Sequence, residues 1–202
     1  MAIIFRLLGN YPLALEYNLK RLKLVENANN KSKLAGVLTS IALVYVNQEE
    51  YKKALTYYYK ADSVINRLDN VDKEKCTIAL NTGDAYDRLN INDSAFNYFS
   101  KSLNIARQIK NNYFAGMALV GLGHNYLKTE QFLLAMAHYK SGIVYLKEAE
   151  DDDLLCEAYL GLATLLKKLN QKDSALFYAR QSFAIGQKDG FFRKRKCFIR
   201  NL

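Results

Sequence analysis

Apolar and polar positions alternate along this chain with a helical period, and the pattern then repeats as a block. Five alanines, Ala14, Ala54, Ala95, Ala135 and Ala175, follow one another at intervals of 40, 41, 40 and 40 residues. A fixed period of that size marks an array of stacked supersecondary units. The neighbours of the last four alanines recur as well. Twelve residues upstream stands a small residue: Ala42, Gly83, Gly123 or Ala163. Three residues after it comes a ring or a large apolar side chain: Tyr45, Tyr86, Tyr126 or Leu166. Four residues after each alanine stands Tyr58, Phe99, Tyr139 or Ala179, and seven after it Ala61, Ser102, Gly142 or Ser182.

A small residue with a ring three positions later places both on one helical face. Alanine, ring at the fourth position and small residue at the seventh do the same on a second helix. Polar breaks separate the two helices at Asn47–Glu50, Asn90–Asp93, Thr129–Gln131 and Asn170–Asp173, and longer breaks separate the blocks. Asp93 and Asp173 are the expected helix N-caps. Each block therefore reads as helix, short turn, helix. Such a hairpin cannot bury its apolar face alone, so neighbours must stack. The predicted organisation is a single array over 1–190. It has a partial repeat in 1–30, with residues 2–9 as a short first helix, and repeats at about 33–70, 74–112, 114–150 and 154–190. A basic and aromatic tail follows over 191–202. Both ends look cut, which predicts a segment of a longer protein.

These residues resemble the tetratricopeptide repeats, whose pattern runs L-G-x2-Y, A-x3-F and then a small residue. Here it reads Thr82-Gly83-Asp84-Ala85-Tyr86 with Ala95 and Phe99, and again Leu122-Gly123-His124-Asn125-Tyr126 with Ala135 and Tyr139. The usual tryptophan position holds Leu38, Ala79, Leu119 and Tyr159, and the closing proline is missing. The long period is similar to that of repeat arrays in bacterial signalling proteins and peptide-responsive regulators. The resemblance implies an all-α fold, a right-handed α-solenoid of antiparallel helix pairs. It also implies a concave groove lined by the first helix of each pair, at the positions one, four and five after the small residue. Those positions hold Leu43, Val46 and Asn47; Asp84, Asp87 and Arg88; His124, Leu127 and Lys128; and Thr164, Lys167 and Lys168. The sequence runs from neutral to basic along them, which favours a protein or peptide partner with an acidic stretch. The plain alternative is a set of solvated helix faces. The family's clamp for chaperone tails needs asparagine at the first of these positions, and this chain has none there.

Composition narrows the picture further. Of 202 residues 50% are apolar and 24% charged, and there is one proline, which excludes a disordered chain and a turn-rich β-sandwich. The formal charge of +9 is uneven: five of its excess cations (Arg193, Lys194, Arg195, Lys196 and Arg200) lie in the tail. Four are left for the body, too few for a nucleic-acid stripe, so no nucleic-acid partner is expected. No run reaches the roughly 20 apolar residues of a membrane span, and the start lacks a signal peptide's basic region, so a cytoplasmic location is expected. Cys76, Cys156 and Cys197 are too few for a disulfide framework; Cys76 and Cys156 occupy equivalent repeat positions and are expected as free thiols. His124 and His138 do not make a metal site. His138 precedes the packing position Tyr139 and is expected at a helix–helix edge. The run Glu148 to Asp153 lacks the glycine of a calcium loop. No nucleophile or phosphate-loop motif is present, so no cofactor and no catalysis are expected. The predicted function is a non-catalytic protein-binding scaffold. The alternative is a sensory or regulatory segment of a larger signalling protein, such as a histidine kinase or transcription regulator. End-to-end self-association is a further expected contact.

Overall fold

The computed structural model describes residues 1–28 and 30–188. The basic tail, with Cys197, lies outside the described residues. The fold is all-α, with ten helices and no strand among the described residues. They fall into two compact units. The first unit holds α1 (Ala2–Leu7), α2 (Tyr11–Asn27), α3 (Lys31–Asn47), α4 (Tyr51–Ile65), α5 (Asp72–Arg88) and α6 (Asn92–Gln108). The second, which begins at Lys110, holds α7 (Asn112–Lys128), α8 (Phe132–Glu148), α9 (Asp152–Lys168) and α10 (Lys172–Lys188). Within each unit, consecutive helices pack as antiparallel pairs. The first helix of a pair also touches the first helix of the next, as α3 does α5 and α7 does α9.

The helix stops repeat in the backbone itself. Gly9, Glu49, Asn90, Glu130 and Asn170 all have positive φ, between 57° and 76°, and all end the first helix of a pair. Around Glu49 the Glu50 N–H donates to the Tyr45 carbonyl at 2.9 Å and the Glu49 N–H to the Val46 carbonyl at 2.9 Å. That is the Schellman closure, which satisfies the last carbonyls of the helix. The Ile91, Gln131 and Gln171 N–H groups donate to Tyr86, Tyr126 and Leu166 in the same way. The carbonyl that accepts belongs each time to the residue three after the small one.

Capping departs from expectation. Asp93 and Asp173 lie inside the first turns of α6 and α10 and are not N-caps. The Schellman turn at Asn90 starts α6 at Asn92, so the N-cap of α6 is Ile91. From the first turn the two carboxylates still favour the positive end of the helix dipole. Side-chain caps come instead from Asn10, Asn30, Asn111 and Asp151, each accepting from the N–H three residues on, at 2.8–3.3 Å.

The repeated small residues are where helices approach. A Cβ built on Gly83 would lie 2.8 Å from the ring of Phe99, and one on Gly123 2.8 Å from the ring of Tyr139. Ala42 and Tyr58, fully buried, meet in the same core cluster. Cys76 and Cys156 are buried thiols, not joined in a disulfide. Ser182 donates to the Cys156 carbonyl at 2.9 Å, and the Cys156 thiol donates to the Ser182 carbonyl at 3.3 Å. Cys76 and Ser102 form the same reciprocal pair in the first unit.

Candidate partner-binding faces

Apart from the short α1, which buries no residue, the first helices of the pairs are the most buried elements, and each keeps an accessible strip. Nine of the 17 residues of α9 and eight of the 17 of α7 are buried, against five in α8 and five in α6. All twelve side chains proposed from the sequence nonetheless reach solvent. Leu43, Val46, Asp84, Asp87, His124, Leu127 and Thr164 are half-buried; Asn47, Arg88, Lys128, Lys167 and Lys168 are exposed.

In the first unit, Leu43 and Asn47 stand on α3, and Asp84, Asp87 and Arg88 on the neighbouring α5. Arg88 Nε lies 3.8 Å from Asp84 Oδ1, an exposed pair worth little in stability. Beneath them the Tyr58 side chain is fully buried, and no hydrogen bond reaches its hydroxyl. Burial pushes that phenol far above its usual range; the Asp84 charge adds to the shift and the Arg6 charge opposes it. Arg6 belongs to α1, which sequence reasoning did not place on this face. The signal was there: Ala2 precedes Ala14 by the same twelve residues that separate Ala42 from Ala54. By that register Ile3, Arg6 and Leu7 are the first pair's counterparts of Leu43, Val46 and Asn47.

In the second unit, His124, Leu127 and Lys128 stand on α7, and Thr164, Lys167 and Lys168 on α9, which packs against it. The His124 ring meets Tyr139 edge-on, with centroids 5.4 Å apart. Lys128, Lys167 and Lys168 all lie in the last turns of their helices. The helix dipole favours cations there, which accounts for part of the basic character without any partner.

A second recurring feature escaped the sequence reading. In the first three pairs the residue three after the marker alanine stacks on the ring three after the small residue; in the last, where that place is Leu166, Tyr178 stacks on Tyr159 instead. Phe5 stacks on Tyr17, Tyr45 on Tyr57 and Tyr86 on Tyr98, with centroids 5.4–5.7 Å apart. Lys20, Lys60 and Lys101 lie over Tyr17, Tyr57 and Tyr98. In the second unit His138 takes this place against Tyr126, at 4.9 Å, with its Nδ1 2.8 Å from the Leu134 carbonyl. His138 thus lies at the helix–helix edge, where it was expected. No group of three or more His, Cys, Asp or Glu among the described residues could hold a metal ion. No described helix is long and apolar enough to cross a membrane.

Comparison with known proteins agrees with this geometry. Residues 35–66 match the tetratricopeptide repeat profile. A stretch of 111 residues is 32% identical to the anaphase-promoting complex subunit CDC16 of Saccharomyces cerevisiae, covering 55% of this chain and 12% of that protein. The aspartyl phosphate phosphatase F of Bacillus subtilis matches in structure with a TM-score of 0.81 at 18% identity, over 92% of this chain and 50% of that one. The Rap conjugation gene regulator of plasmid pLS20, solved in complex with a Phr peptide, matches with a TM-score of 0.79 at 15% identity, over 98% of this chain and 57% of that one. The chain thus spans about half the length of these two structural neighbours, and far less of the yeast subunit. With the profile match over residues 35–66 and the fourfold register, the chain is similar to the tetratricopeptide repeat proteins.

Proposed function

We propose that the chain is a non-catalytic scaffold that binds an extended peptide or protein segment along the accessible strips of its first helices. One observation carries the reading: α3, α5, α7 and α9, the helices with the most buried residues, leave the same repeat positions open to solvent. Repeats of this type are generally non-catalytic scaffolds, and the peptide-bound Rap neighbour supports a peptide as the partner class. The basic strip of the second unit favours a segment with acidic side chains. Random peptides displayed on phage test this against the wild type and the quadruple variant Asp84→Ala, His124→Ala, Lys128→Ala, Lys167→Ala. Selected peptides should be rich in Asp and Glu, lose affinity with added salt, and fail to bind the variant while its helical circular dichroism is unchanged. Peptides that bind both proteins equally would sink the assignment.

A second reading is a sensory or regulatory segment of a larger signalling protein. It is favoured by the extent of the match to the Rap regulator, which covers nearly all of this chain and 57% of that one.

A further inference from the structure

The position four residues after each marker alanine holds a ring in three pairs: Tyr58, Phe99 and Tyr139, all buried against the small residue of the preceding helix. In the first pair that position is Asn18, and the small residue opposite is Ala2. Asn18 is as buried as the rings it replaces, at 2% exposure, yet its Oδ1 has no hydrogen-bond partner. A buried amide oxygen without a partner is costly, and such atoms call for an explanation. The shorter side chain also leaves space. A cavity of about 80 Å³ lies here, lined by Ala2, Ile3, Arg6, Asn18, Ser40 and Leu43.

The lining has a definite chemistry. Ala2, Ile3 and Leu43 supply apolar walls. Asn18 supplies an amide head with a donor side and an acceptor side. Ser40 Oγ donates to the Gly36 carbonyl at 2.8 Å, which leaves its lone pairs to accept. Arg6 supplies a cation with several donors. A carboxylate would satisfy Arg6 and offer nothing to the unpartnered Asn18 oxygen. An alkyl group would satisfy neither. A primary carboxamide answers both once the Asn18 oxygen, closed off from solvent here, turns into the cavity: its NH2 then donates to Asn18 Oδ1, and its carbonyl accepts from Asn18 Nδ2 and from Arg6. The cavity is a few times the roughly 30 Å³ that one water occupies in the liquid, enough for such a head group.

We propose that this cavity is a carboxamide subsite which takes the side chain of an Asn or Gln of the bound segment. The proposal rests on the peptide-binding reading, since Leu43 and Ile3 also belong to the strip. It is tested without any partner, so the two can fail separately. The full chain, labelled with 15N, is titrated with acetamide and in parallel with sodium acetate. Acetamide should move the Asn18 side-chain NH2 pair and the Arg6 Nε–H resonance saturably, and acetate should not. Asn18→Leu should abolish the Arg6 response. Asn18→Tyr, which restores the ring of the other pairs, should abolish it too and raise the unfolding midpoint by filling the cavity. Arg6→Lys, which keeps the charge and loses the planar donors, should weaken acetamide binding at least tenfold. No saturable shift with acetamide would overturn the proposal, leaving Asn18 to an ordered water. An equal response to acetate would overturn it in favour of a general anion site. An acetamide response that survives Asn18→Tyr would place the ligand elsewhere and overturn it as well.

Discussion

The two units place the same ring at the same repeat position and seat it differently. In the first unit Tyr58 packs with Ala42, which keeps its Cβ. In the second, Tyr139 lies between two glycines: a Cβ on Gly123 would come within 2.8 Å of its ring, and one on Gly161 within 2.5 Å. Gly116 adds a third such site, under Leu146 at 2.6 Å. The first unit uses the device once, at Gly83 under Phe99, and its Gly36 meets nothing within 4 Å. One repeat register therefore supports two ways of dividing the space between helices. The second unit lets backbones approach closely. The first keeps side-chain carbons and leaves a cavity beside Asn18.

The sharpest way to break this comparison is to add one carbon in each unit. Alanine in place of a helical glycine gains about 1 kcal/mol from propensity alone. Gly36→Ala should realise that gain. Gly123→Ala should instead lose about 1–3 kcal/mol, since the ring of a fully buried tyrosine cannot give way without disturbing its neighbours. Urea unfolding of both variants checks the pair. If Gly123→Ala proves as stable as Gly36→Ala, the glycine seats of the second unit are not tight.

A second test turns on hydroxyls. Tyr58→Phe removes an oxygen that is buried without a partner, and should raise stability by about 1 kcal/mol. It should also change the alkaline limb. The folded phenol titrates far above the ordinary value near 10 because burial, and then the Asp84 charge, oppose its ionisation. Above about pH 10 the unfolded chain gives up this proton while the folded chain keeps it, so stability falls as pH rises. A single group contributes up to about 1.4 kcal/mol per pH unit there. Burial also raises Tyr45 and Tyr98 in the first unit, and Tyr113 in the second. Tyr58→Phe should make that alkaline loss shallower. Parallel pH profiles for variant and wild type would show that Tyr58 ionises freely in the fold.

The repeat was readable because packing forces the same sizes into the same places. Gly83 and Gly123 recur where a ring presses on the helix backbone, and the same place holds the small Ala42 under Tyr58. The stacked pairs were less readable. Tyr17, Tyr57, Tyr98 and Tyr178 share their position with His138, and only the fold shows that an imidazole meets the Tyr126 ring there, tilted by 43°. Helix α1 was half-hidden because six residues show little more than one turn and a half of pattern. The caps misled for a physical reason. Asp93 has the right chemistry for an N-cap, but the Schellman turn at Asn90 fixes the helix start before side-chain preference can act. The division at Ile109 and Lys110 leaves no trace in the sequence, where the interval from Ala95 to Ala135 is as regular as the others. For the twelve strip residues the sequence supplied positions, and the structure adds exposure and neighbours.

The smallest expected effect lies in the turns, where the units differ again. The first unit ends helices on Gly9, Glu49 and Asn90, the second on Glu130, Glu150 and Asn170, all at positive φ. An L-residue with a Cβ pays about 1–2 kcal/mol in that conformation, and asparagine tolerates it best. Glycine removes the strain but loses about 0.5–1 kcal/mol through its freer unfolded chain. Glu130→Gly should therefore gain about 0.5 kcal/mol on balance, and Asn170→Gly about nothing. Both lie near the limit of urea titration, so replicate unfolding midpoints of the two variants and the wild type are needed. A gain at Glu130 alone would mean that the second unit carries strain which its glutamates leave unrelieved. A loss there would mean that the Glu130 side chain contributes more to the turn than its backbone costs.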